Sequence, residues 1–158
     1  MYYVEYHEHY FKKGEDFSMR LGVFSDLEEA QSVIISFQKY EFVTSDRVEF
    51  ASMGVVNRVG YKEEDFPCFL VHKIYSGVGV FESGVEYRYL FFYDGDHGVN
   101  CPLGVFCDEP SLSSFLDIFD SKPIYDLENG GEFDEQSGFF ISSVKVDYQY
   151  DWSWFDED

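Results

Sequence analysis

The hexapeptide Leu21-Gly22-Val23-Phe24-Ser25-Asp26 returns as Leu103-Gly104-Val105-Phe106-Cys107-Asp108, 82 positions on (Gly22 to Gly104). A chain that repeats a unit must bury the same apolar face twice, so the two copies are expected to share one design. The likeness continues as pattern. Ala30, Val33, Ile34 and Phe37 keep the spacing of one helix face, and Leu112, Phe115, Leu116 and Phe119 keep it again. Each copy therefore reads as a short strand, a turn at aspartate and an amphipathic helix. Asp26 with Glu29 makes a capping-box-like start, and Asp108 or Glu109 with Pro110 in the first turn makes another. Ser121-Lys122-Pro123 stops the second helix.

Strands flank both helices. Tyr2, Val4 and Tyr6 alternate with Tyr3, Glu5 and His7, and Val48 and Phe50 alternate with Glu49 and Ala51. Residues 69–81 and 86–93 are aromatic or β-branched and broken by Gly77, Gly79 and Gly84, a hairpin-like pattern. The clearest alternation is the last: Val144, Val146, Tyr148, Tyr150, Trp152 and Trp154 against Lys145, Asp147, Gln149, Asp151 and Ser153. It predicts one long strand with an apolar and a wet face. Segments 57–67 and 123–138 read as loops. The expected fold is a single α+β domain over 1–158. It has a mostly antiparallel curved sheet built from two strand-rich halves, pseudo-repeats 1–60 and 69–154, each with one amphipathic helix.

Charge narrows the function. Thirty-one acids face 11 Lys and Arg, a formal net charge of −20. Nucleic acids and anionic membrane surfaces should repel such a chain, and a basic protein should be drawn to it. At 45% hydrophobic and 21% aromatic residues the chain can still bury a core, so it is not an acidic tail. The charge clusters in Asp126, Glu128, Glu132, Asp134 and Glu135, in Asp147 and Asp151 on the wet face of the last strand, and in Asp156-Glu157-Asp158. Carboxylates interleaved with Tyr and Trp are suited to Lys and Arg on a partner, so these seven residues from Asp126 to Asp151 are the candidate partner contacts.

Other chemistry is sparsely represented. His7-Glu8-His9 puts two imidazoles on one strand face beside Glu5, a partial ligand set for a metal, but no third ligand follows at motif spacing. Such pairs are common on solvated strand faces. His72 and His97 stand alone, and Asp94-Gly95-Asp96-His97-Gly98 has turn composition. Cys68, Cys101 and Cys107 form no Cys-x-x-Cys pair and leave an odd count. There is no Gly-x-Ser-x-Gly and no cysteine near a patterned histidine. The expectation is a protein with no cofactor and no catalytic role, and the N-terminal run, with no apolar leader, reads as cytoplasmic.

Tyr3-Val4-Glu5-Tyr6-His7, followed by Leu21 to Ala30, resembles small bacterial immunity proteins that stand beside polymorphic or contact-dependent-inhibition toxins. The likeness covers roughly the first third of the chain. It implies a cytosolic inhibitor that binds one toxin domain, one to one, and blocks its active site. When the toxin is a nuclease, it is basic because it binds phosphate, so an acidic inhibitor is its physical complement. A second reading is a phage-type protein that imitates DNA, since same-face carboxylates on a strand recur at about 6.6 Å, twice the residue rise. A third is a metal protein or enzyme using Glu5, His7 and His9.

Overall fold

The computed structural model describes residues 1–10, 15–51, 67–94, 99–118, 123–132 and 137–152. The chain runs β1 (Tyr2–Tyr10), β2 (Glu15–Phe24), α1 (Leu27–Phe37), β3 (Val48–Ala51) and β4 (Cys68–Lys73). After a short β5 (Tyr75–Ser76) it continues β6 (Glu86–Asp94), β7 (Val99–Phe106), α2 (Glu109–Leu116), β8 (Ile124–Asp126) and β9 (Gly138–Lys145). A 3-10 turn, Leu127–Asn129, follows β8. The class is α+β, with two strand-rich halves each carrying a helix.

The halves carry a sheet each. One has the order β2-β1-β4-β3 and the other β5-β7-β6-β9-β8. In both, the central strand pairs antiparallel with its hairpin partner and with the last strand, which in turn takes the post-helix strand in parallel. The duplication reaches the level of defects. A bulge falls at Leu21, between the pairs Val4–Gly22 and Glu5–Arg20. It falls again at Leu103, between Leu90–Gly104 and Phe91–Pro102. A bulge re-aims side chains and sharpens the local twist, so it shapes the approach to each helix in the same way. Both helices then start at an extended aspartate: Asp26 accepts from the Glu29 N–H and Asp108 from the Ser111 N–H.

Three cores result. Under α1, the buried Ala30, Val33, Ile34 and Phe37 pack on Val4, Tyr6, Leu21, Phe69 and Val71. Under α2, Leu112 with half-buried Phe115 and Leu116 packs on Leu90, Leu103, Phe139 and Ile141. Phe119, expected on the same face, lies outside the described residues. Between the halves, Tyr3, Val23 and Ile74 meet Tyr89, Val105 and Val144. These are counterparts in the two repeats, and the Tyr3 and Tyr89 rings stack at 5.7 Å and 2°. Residues that meet their own equivalents are the mark of an isologous interface, here within one chain.

The halves also trade backbone. After β4 the chain crosses over, Ser76 pairs with Val105, and the Gly77 N–H donates to the Val105 carbonyl at 2.8 Å. After β9 it does the converse: Val146 pairs with Val23, and the Asp147 N–H donates to the Val23 carbonyl at 2.9 Å.

Several expectations are corrected. The last strand ends at Lys145, not at residue 154, because Asp147 takes a left-handed conformation (φ 50°) and its carboxylate accepts from the Ser25 N–H at 2.7 Å. Residues 69–81 and 86–93 form no hairpin with each other, since β4 belongs beside β1 and β6 beside β7 and β9. Cys68–Lys73 thus closes the first repeat instead of opening the second. The 123–138 segment is not all loop: it holds β8 and the 3-10 turn.

Candidate functional site

The acids singled out in the sequence divide by what holds them. Asp126 is half-buried: one carboxylate oxygen takes Arg88 and the Asn129 amide, and the other accepts from the Glu128 N–H at 3.1 Å. Burial alone would raise its pKa, but the hydrogen bonds from Asn129 and Arg88, with the Arg88 charge, outweigh it and hold the group below the ordinary carboxylate range. Arg88 also reaches Glu109 at 2.9 Å, tying β6 to the start of α2 and to β8. Glu128 accepts from the Ser143 N–H and hydroxyl at 3.1 and 3.0 Å, which ties the turn to β9. Asp147 caps Ser25 and accepts from the Ser83 hydroxyl on its carbonyl. These three carboxylates brace the fold. Glu132 and Asp151 are exposed, and Asp134 and Glu135 lie outside the described residues. Since 147–151 is not a strand, no row of carboxylates at twice the strand rise forms there.

The inner face of the first sheet holds a polar cluster that sequence reasoning only half found. Glu5, His7 and His72 are buried, at 3%, 5% and 2% exposure. His7 Nε2 and His72 Nε2 approach the same Glu5 Oε1, at 2.9 and 3.0 Å. The histidine expected on a wet strand face is thus inside, and the cluster's second imidazole is His72; the His9 side chain lies outside the described part. The signal for His72 was its place in the apolar run Cys68–Lys73. Antiparallel pairing of β1 and β4 sets it opposite Tyr3, one step diagonally from Glu5.

Beside the cluster is a pocket of about 250 Å3 lined by Tyr3, Glu5, Ser18, Arg20, Tyr89 and Asn100, among others. The Arg20 guanidinium stands 5.8 Å over the Tyr89 ring. Burial, and then the Glu5 charge, push the Tyr89 phenol far above its ordinary range, against the pull of Arg20 and of a hydrogen bond with Tyr3. Such a phenol stays protonated, so it serves as a donor and packing surface. In the second half the places of Glu5, His7 and His72 are taken by Phe91, Tyr93 and Ser142. The ββαββ unit itself therefore does not require a charged cluster there. Among the described residues no group of three His, Cys, Asp or Glu is arranged to hold a metal ion.

The seams between each helix and the crossing backbone also differ. On α1, the Trp152 ring meets the Phe37 ring at 6.3 Å, edge on, and the Trp152 backbone N–H donates to the Tyr40 hydroxyl at 3.2 Å. Tyr148, Tyr150 and Trp152 follow one another along this strap, the first pair edge to face at 81° and the second tilted at 49°. On α2 the strap carries Val78 and Val80, both exposed. No helix among the described residues is long and apolar enough to cross a membrane. Set beside known proteins, the chain matches no family model, no curated protein and no solved structure.

Proposed function

We propose that this chain is an acidic inhibitor that binds one basic partner protein, of the kind formed by a toxin nuclease domain, and blocks its active site one to one without turnover. The observation that carries the reading is charge: 31 acids against 11 Lys and Arg. Two of those cations, Arg88 and Arg47, are already paired with acids of the chain itself. A field of that sign steers a basic surface into encounter and disfavours phosphate-bearing ligands. Two cross-braced halves supply a scaffold that loses little freedom on binding, which favours affinity. Asp126, Glu128 and Asp147 are occupied in the fold, so the exposed Glu132 is the better contact among the described acids of the 126–135 cluster.

The test is association with the toxin domain encoded by the neighbouring gene, followed by stopped flow at rising salt. Association should slow markedly once the Debye length falls to about 10 Å, near 0.1 M, while dissociation changes little. Replacing Glu132, which is exposed, with its amide should leave the melting temperature unchanged and weaken binding. A chain that leaves that toxin fully active, or that blocks a DNA-binding enzyme in its place, would overturn the proposal.

A further inference from the structure

We infer that the cleft between the two sheets binds a small free aromatic acid, one ring carrying a single carboxylate. Arg20 takes the carboxylate and the ring lies against Phe91. The inference goes beyond the inhibitor reading and does not depend on it.

The cleft lies where the repeats meet their own equivalents. Three pairs of counterparts line it: Tyr3 with Tyr89, Ser18 with Asn100, and Glu5 with Phe91. The remaining lining residue is Arg20, and its counterpart, Pro102, is not part of the wall. The duplicated architecture therefore asks for no charge in the cleft. The first half adds a charged wall, and the second supplies an aromatic one.

Arg20 is half-buried, and its guanidinium stands 5.8 Å over the Tyr89 ring. The Glu5 carboxylate in the same wall is engaged by His7 and His72, and no carboxylate among the described residues forms an ion pair with Arg20. A guanidinium carries its N–H donors in a planar fork that matches the two oxygens of a carboxylate. The Ser18 hydroxyl and the Asn100 amide, both exposed, add donors at the mouth. On the opposite wall Phe91 stacks on Tyr89 at 5.6 Å and 26° and on Phe140 at 5.5 Å and 17°, so its ring is held as a flat apolar surface. A few placed polar groups against a fixed aromatic wall are the usual makings of a small-molecule site.

Size and charge select the occupant. The cleft encloses about 250 Å3, below the range of about 300–1,000 Å3 for drug-sized ligands, so it takes one ring and not a nucleotide. Repulsion from Glu5 and from the net charge of −20 grows in proportion to the charge on the ligand, while Arg20 supplies one positive charge. A dianion such as a phosphate monoester meets twice the repulsion for the same cation, so a monocarboxylate is favoured. Arg20 and Ser18 belong to β2, Phe91 to β6 and Asn100 to β7, so the ligand touches both halves and should stabilise the fold as it binds.

The experiment uses the full chain, isotopically labelled, at fixed ionic strength, with benzoate as the probe. Benzamide keeps the ring without the charge, acetate keeps the charge without the ring, and phenyl phosphate raises the charge. Benzoate should shift the resonances of Ser18, Arg20, Tyr89, Phe91 and Asn100 with a Kd at or below about 1 mM, and raise the melting temperature. The other three should bind at least about tenfold more weakly. Arg20→Gln should weaken benzoate by a similar factor. Asn100→Asp should do so too, since it alters one exposed side chain and leaves the guanidinium in place. Should Arg20→Gln fail to fold, Asn100→Asp decides alone. No shift at about 10 mM benzoate, equal binding of benzamide or acetate, or tighter binding of phenyl phosphate would each overturn the proposal. So would benzoate binding that Asn100→Asp leaves intact. A peptide ending in Phe with a free carboxylate, if bound at least about tenfold more tightly than benzoate, would make the occupant a protein C-terminus and overturn it as well. Inhibition of a toxin enters none of these measurements, so the two readings fail separately.

Discussion

Glu5 is a carboxylate almost without water, held by two imidazoles and set near Arg20 across the β1–β2 ladder. Removing it strands two ring nitrogens in the interior, and an unpaired buried polar group costs more than the net worth of the bond it lost. Glu5→Ala should therefore lower unfolding free energy by about 3 kcal/mol or more, measured by urea denaturation. Glu5→Gln, which keeps an acceptor oxygen, should cost less. Asp126 offers a pH test. Its folded pKa is depressed by Asn129 and Arg88 against the effect of burial, so its contribution is present above the ordinary carboxylate range and is lost as pH falls through it. Asp126→Asn should cost about 1 kcal/mol near neutral pH, since the site is partly exposed. The gap between variant and parent should close below about pH 4. A gap that stays constant down to pH 3 would show that the charge on Asp126 does not contribute.

Each repeated strand–helix element carries the same three devices: a bulge at Leu, a glycine after it and an aspartate cap. The caps should be equivalent, so Asp26→Ala and Asp108→Ala are each expected to cost about 1 kcal/mol. The glycines are needed for different reasons. Gly22 has φ +148°, where side chains are strained, whereas Gly104 lies where β5 approaches, and an added Cβ would stand 3.0 Å from the Tyr75 carbonyl. Both substitutions to Ala should destabilise, with Gly104→Ala also loosening β5 in hydrogen exchange. Phe37→Ala should cost about 3–5 kcal/mol, because Phe37 is buried at the centre of the α1 core. These elements were legible in the sequence because local spacing carries them: period 3.6 for the helices, period 2 for β1, aspartate at the caps. Strand partnership was not, since it depends on contacts far apart in the chain. The alternation from Val144 to Trp154 reads as one strand, yet a single left-handed residue, Asp147, turns the described part beyond it, to Trp152, toward α1. Likewise His7 and His9 read as a pair on a solvated strand face beside Glu5 until β4 brought His72 against Glu5, and Asp126 and Glu128 looked like free charge until Arg88 and Ser143 took them.

At the scale of the molecule, the reciprocal crossing couples the halves. Val146 and Asp147 extend the edge of β2, while Tyr75 and Ser76 extend that of β7. Truncation after Lys145 removes Val146, the Asp147 cap and Trp152 at once. It should lower the melting temperature by several degrees and raise hydrogen exchange in β2 and the end of α1, far from the cut in sequence. Exchange confined to β9 would mean that the strap braces only its own half. The coupling also predicts a single cooperative transition, with fluorescence and far-ultraviolet circular dichroism giving the same midpoint.

A fold wired in this way is completed only when the segment after β9 docks on β2. As it is synthesised, β1 to β4 emerge with the outer edge of β2 bare, and that edge stays bare until Val146 arrives. An uncovered strand edge invites pairing with the same edge on another growing chain. Two such chains on one message would each already carry an excess of carboxylates, and that charge would keep them apart during the interval when the edge is open.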